Sequence, residues 1–200
     1  MNNVIYFDID RTLIDSVKLR ELTRGGMCKE LNLNREKINV IIDDYIKSLN
    51  HKNDFCREDM LEIIRQKTGH KYLDLKNTHD KYEYYFESLY DDVINTLEKL
   101  KKENNVLGIY SEGHYDYQLD KLMLSGIYKY FDIDKIIIKR KKLRDEEIKI
   151  MGEAIVIDDW VEVIDYLSDF PKITPIWLNR VDERKHKNAR TIYGLGELVI

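Results

Sequence analysis

The first fifteen residues constrain the fold more than any other stretch. Val4-Ile5-Tyr6-Phe7 is a short unbroken apolar run, and Asp8-Ile9-Asp10-Arg11-Thr12-Leu13-Ile14-Asp15 follows it directly. Such a run predicts a strand buried on both faces, as inside a parallel sheet. Its end delivers two carboxylates, separated by one residue, to the sheet edge where open α/β sheets bind ligands. There they repel each other unless a cation or a shared proton intervenes. A lone D-x-D is more often a solvated strand end; the downstream chain changes that reading.

Apolar residues make up 43% of the 200, enough for one core or for one domain carrying a smaller insertion. A net charge of −4 argues against a dedicated nucleic-acid binder. Cys28 and Cys56 form no metal or disulfide framework, so a reducing, cytoplasmic setting is expected. No apolar stretch approaches the roughly 18–20 residues of a membrane span, and no signal-peptide pattern opens the chain. The sequence is silent on oligomeric state.

Residues 17–90 contain no convincing strand and read as helices. Leu19, Leu22, Met27 and Leu31 suit one face, weakened at Gly25-Gly26 by roughly 1 kcal/mol per glycine. Ile38, Ile41, Ile42, Tyr45, Ile46 and Leu49 recur at helical spacing. A third helix around Met60–Ile64 ends near Gly69. A fourth, Asp80–Leu89, carries an aromatic stripe read as core. From Asp91 strands alternate with helices: strands at Val106–Tyr110, Ile136–Ile138, Ala154–Ile157 and Thr174–Leu178, helices around Val93–Leu100, Leu119–Met123, Leu143–Met151 and Val161–Leu167. That alternation predicts an α/β fold, a doubly wound, mainly parallel Rossmann-like sheet, with the helical block inserted after its first strand. The division is 1–15 with 91–200 as core and 16–90 as an all-α insertion.

Three strand ends carry polar groups: Asp8/Asp10, Ser111 and Asp158/Asp159. In this order, with Thr12-Leu13 after the first pair, the chain resembles the haloacid dehalogenase (HAD) superfamily of phosphatases. The resemblance extends through Leu97-Glu98-Lys99-Leu100, Tyr130-Phe131-Asp132 and Ile176-Trp177-Leu178-Asn179-Arg180. It implies that the inserted helices form a cap, and that a lysine near a helix start completes the site.

The resemblance makes Asp8 the nucleophile, and a carboxylate can form an aspartyl-phosphate. Asp10 would protonate the leaving alkoxide and then activate water, a role suited to a raised pKa. Ser111, with backbone amides of Ser111-Glu112-Gly113, and Thr12 would hold the phosphoryl group. Asp8, the Asp10 carbonyl, Asp158 and Asp159 form an all-oxygen donor set suited to Mg²⁺; which of the last two ligates directly stays open. For the lysine, Lys139, Lys141 and Lys142 compete, the family's lysine-proline dipeptide is absent, and Lys141 is chosen. Arg11 stands where the family often has glycine; it is read as a salt bridge to the cap, with an anionic substrate group as the other partner open to it. The expected activity is Mg²⁺-dependent hydrolysis of a small phosphate monoester. A phosphomutase, or a phospho-accepting signalling domain, is the alternative.

Overall fold

The computed structural model describes residues 3–51 and 54–199. Six strands, β1 (Val4–Phe7), β2 (Val106–Glu112), β3 (Ile136–Lys139), β4 (Ala154–Asp158), β5 (Ile173–Leu178) and β6 (Arg190–Ile192), form one sheet in the order β3-β2-β1-β4-β5-β6. All neighbouring pairs are parallel. The first strand is therefore central, with Phe7 paired to both Ile109 and Ile157. Its alternate residues serve two cores. Ile5 and Phe7 join Leu97, Leu107, Ile109 and Leu122 on one face, while Tyr6 joins Val156, Val163 and Leu167 on the other.

Four helices cover these faces: α6 (Val93–Lys102), α7 (Tyr115–Leu124), α8 (Asp145–Met151) and α9 (Val161–Leu167). The α/β doubly wound expectation holds. The strand β6 adds to the expected set, starting at Arg190 after a stretch dense in lysine and arginine. Pro175 fits inside β5 because pairing to β6 begins only at Ile176, so that flank asks for no ladder hydrogen bond from it.

Between β1 and α6 lie five helices: α1 (Ser16–Glu30), α2 (Arg35–Ser48), α3 (Arg57–Thr68), α4 (Tyr72–His79) and α5 (Tyr82–Glu87). They share a separate apolar cluster of Met27, Ile38, Ile42, Met60, Leu61, Ile64 and Leu75. The Gly25-Gly26 pair does not interrupt α1. A Cβ on Gly26 would overlap the Tyr84 ring, so glycine there lets α5 lie against α1. The aromatic stripe is only partly core: Tyr85 is buried, whereas Tyr82 and Phe86 stack on each other in solvent. The chain enters and leaves this block along one seam, with Asp15 N–H donating to the Ser88 carbonyl (2.8 Å) and Tyr90 N–H to the Leu13 carbonyl (3.2 Å).

Gly108 sits mid-strand in β2, where a Cβ would lie 2.7 Å from the Lys135 carbonyl and 2.7 Å from the Tyr6 ring. Gly108→Ala is therefore expected to destabilise by about 1–3 kcal/mol through overpacking. Denaturant unfolding checks this, and a loss below about 0.5 kcal/mol would show that the contact relaxes freely.

Candidate active site

Asp8 follows β1 directly and is fixed by backbone pairing, its N–H donating to the Ile157 carbonyl at 3.0 Å. The residue is 6% exposed. Its Oδ1 accepts from Ser111 Oγ (3.0 Å), at the end of β2, and from Lys142 Nζ (2.6 Å). Lys142 Nζ also donates to Oδ2 of Asp158, the last residue of β4. The three strand ends named from the sequence thus meet around one ammonium, which lies 5.0 Å from the centre of the Tyr110 ring. An unpaired buried charge would cost several kcal/mol; here each charge faces an opposite one.

The lysine that reaches Asp8 and Asp158 is Lys142, not the expected Lys141. Lys141 is exposed and Lys142 is 5% exposed. The turn after β3 decides between them. Lys142 N–H donates to Glu112 Oε1 (2.6 Å), Leu143 N–H donates to the Tyr110 hydroxyl (3.1 Å), and Leu143 takes a φ of +71°. A proline, locked near −65°, cannot occupy that position, which accounts for the missing dipeptide.

Asp10 differs from expectation. Its Oδ1 accepts from Ser16 Oγ (2.5 Å) and Lys121 Nζ (2.7 Å), and its Oδ2 from Lys121 Nζ (2.8 Å) and Gln118 Nε2 (2.9 Å). Burial acts to raise its pKa, but the Lys121 ammonium and these hydrogen bonds prevail and hold it down at about 2. Asp10 is thus a carboxylate rather than a carboxylic acid. Neither Lys121 nor Gln118 was singled out from the sequence. The available signal was a polar pair beside Leu122 on the buried face of α7.

The remaining phosphoryl-binding candidates divide. Ser111 reaches Asp8, as above. The Gly113 amide donates to the Lys139 carbonyl at 2.8 Å, extending the β2–β3 ladder, so it does not point free into the site. Gly113 has a φ of +133°, and a Cβ there would come 3.0 Å from Gln118 Nε2. Glu112 orients Lys142. Thr12 is fully buried, its hydroxyl without a hydrogen-bond partner among the described residues, while its carbonyl accepts from Arg180 (3.1 Å). Arg180 also pairs with Asp92 at 2.8 Å and lies over Tyr90, pinning the loop after β1 to the end of β5. Arg11 makes no ion pair to the helical block among the described residues; its φ is +62°, the left-handed value that favours glycine, and its charge acts on Asp159.

The acids suit a hard divalent cation by chemistry, since every candidate donor is an oxygen. Burial first, with Asp158 and Asp10 adding, pushes Asp159 up to about 7 against the pull of Arg11 and Lys142. Burial raises Asp8 too, with Lys142 opposing and Asp158, Asp159 and Asp10 adding. That is the signature of negative charge awaiting a counter-ion. Both Asp158 oxygens are engaged, one by Lys142 and the other by Trp160 N–H (2.9 Å), whereas the Asp159 carboxylate accepts no hydrogen bond among the described residues. Of the two carboxylates, that of Asp159 is the freer. No cluster of three acids, histidines or cysteines is preassembled for a metal among the described residues.

Because the Asp159 pKa is raised on folding, the native state keeps a proton that the unfolded chain has lost between about pH 4 and 7, and stability falls as pH rises through that window. In divalent-free buffer, Asp159→Asn is expected to gain a few degrees of Tm over wild type at pH 8 and little at pH 4. A difference independent of pH would refute the crowding of acids around Asp159.

Comparison with known proteins agrees with this geometry. The sequence profile described as haloacid dehalogenase-like hydrolase matches residues 5–145. Among curated proteins no sequence matches. Solved structures do: a HAD phosphatase from Thermococcus onnurineus (24% identity, TM-score 0.65, covering 98% of this chain and 95% of that one), a haloacid dehalogenase-like hydrolase from Burkholderia xenovorans (17%, 0.71, 98% and 95%), and the HAD-hydrolase YfnB from Bacillus subtilis, bound to magnesium (16%, 0.60, 98% and 96%). At these identities the structures establish a shared fold. With the profile covering most of the chain and the fold matching end to end, the protein belongs to the haloacid dehalogenase-like hydrolases.

Proposed function

We propose that the protein is a Mg²⁺-dependent phosphatase acting on small phosphate monoesters through an aspartyl-phosphate on Asp8. The observation that carries this reading is the convergence of Asp8, Ser111, Lys142 and Asp158, with Asp10 and Asp159 beside them. Neighbouring folds are also described as a dehalogenase and a β-phosphoglucomutase. The second acid and the acidic pair favour phosphoryl transfer, which needs cationic stabilisation of equatorial oxygens.

Asp8 attacks phosphorus in line. Its attacking carboxylate is oriented by Ser111 and Lys142, and the Lys142 ammonium also faces the charge that gathers on the phosphoryl oxygens. Asp8, Asp159 and the Asp10 carbonyl are the groups that would hold Mg²⁺; when bound, the cation neutralises charge on the phosphate and on these acids. As a carboxylate, Asp10 can take a proton from the water that releases phosphate, whereas a proton delivered to the leaving oxygen must first come to it from solvent. Its carboxylate already accepts four contacts, about the capacity of two oxygens. Proton exchange with a leaving oxygen or with water therefore requires one donor to yield, and Ser16 and Gln118 are the neutral ones. The helical block 16–90 serves as the cap that excludes water and selects the leaving group, hinging at the seam near Asp15 and Tyr90.

Asp8→Asn keeps the size of the side chain and removes the nucleophile. It is expected to fold and to retain less than about 1% of phosphatase activity; retention of a tenth or more would exclude Asp8 as the attacking group. Excess chelator is expected to abolish wild-type turnover, and full activity under chelator would remove the metal from the mechanism. Lys142→Met and Lys141→Met separate the two lysines. The first should lose at least about a hundredfold in kcat and the second should stay within about twofold, with equal losses pointing to a general effect of charge.

A further inference from the structure

The contacts of α7 fall into two sets that alternate along its inner turns. Tyr117 and Asp120 engage the helical block, while Gln118 and Lys121 engage Asp10. The Tyr117 ring lies among three residues of the block: Phe55 (centroids 5.9 Å apart), His79 (6.3 Å) and the Arg57 guanidinium (5.2 Å). Lys121 Nζ lies 4.8 Å from the centre of the same ring. Arg57, 2% exposed, pairs with Asp120 at 2.7 Å and with Asp80 of its own block at 3.1 Å. Arg57 also pairs with Glu58 of its own block, so its bond to the partly exposed Asp120 and the packing of Tyr117 are what join the block to α7.

Asp10 in turn takes three of its four hydrogen-bond contacts from α7. We infer that Arg57, Tyr117 and Asp120 are positioning residues: docking of the helical block fixes α7, and α7 fixes the Asp10 carboxylate through Lys121 and Gln118. The consequence for catalysis rests on the phosphatase reading above; the consequence for Asp10 geometry does not. The block would then do more than cover the site, because its seating sets where the proton-transferring group points.

The test compares Asp120→Asn, which removes the charge that Asp120 presents to Arg57, with Tyr117→Leu and with the conservative Asp120→Glu. Asp120→Asn leaves Arg57 paired to Asp80 and is the variant that keeps the fold if Tyr117→Leu does not. In crystal structures, Asp120→Asn is expected to weaken or lose at least one Asp10 contact with Lys121 or Gln118, and Asp120→Glu to retain them. In kinetics on a phosphate monoester, Asp120→Asn should lower kcat about tenfold with KM within about threefold, and Asp120→Glu should recover most of it. An Asp10 carboxylate that keeps all its contacts in Asp120→Asn overturns the inference. So does a kcat unchanged from an active wild type. A wild type inactive on every phosphate would strike the phosphatase reading, and the crystal structures would still decide the positioning role.

Discussion

One buried ammonium holds the site together. Lys142 touches Asp8 and Asp158, which belong to adjacent strand ends. Without it, two carboxylates that are 6% and 1% exposed would face each other across the centre of the sheet. Like charges at that separation repel by a few kcal/mol even at an effective dielectric near 20. The parallel order of the sheet brings β1, β2 and β4 to a common edge, and the lysine lets their acids remain there. Its own placement depends on the strained turn at Leu143, so the backbone after β3 is part of the site although it supplies only one functional side chain.

A second ammonium, Lys121, does the same for Asp10. The result is two carboxylates two residues apart in very different states. Burial raises Asp8, while Lys121, Ser16 and Gln118 hold Asp10 down at about 2. Neighbouring acids whose surroundings drive their proton affinities apart are assigned different tasks. On the proposed reading, Asp8 becomes the nucleophile once a cation offsets its burial, whereas Asp10 is already ionised. Arg180, through Thr12 and Asp92, keeps the loop carrying both acids against the sheet, and the seam at residues 13–15 and 88–90 couples that loop to the helical block.

Much of this was legible before the fold. Continuous apolar runs identified the buried strands, since a strand covered on both faces has no solvent side to mark with polar residues. The polar groups closing β1, β2 and β4 marked the edge, and Asp8, Ser111 and Asp158 do meet there. The misses have physical reasons. Tyr82 and Phe86 lie outside because aromatic spacing alone does not say which side of a short helix is covered. Gly25-Gly26 looked like a break because the helix cost of glycine is local, whereas the gain from closer packing against Tyr84 comes from sixty residues further along the chain. Arg11 was assigned a salt bridge because the sequence shows its charge and hides its left-handed backbone.

What the sequence determined by itself was the kind of sheet, its insertion and the acids on its rim, because hydrophobic period and strand-end position are properties of contiguous residues. What only the tertiary structure decided was the identity of the cations and the charge state of each acid. Lys141 and Lys142 are equivalent in composition and differ by one turn of backbone that Tyr110 and Glu112 fix from β2. Lys121 has no motif, and its partner Asp10 precedes it by more than a hundred residues. A pKa is set by burial and by charges a few ångströms away, and in a parallel sheet such neighbours come from strands and helices far apart in the chain.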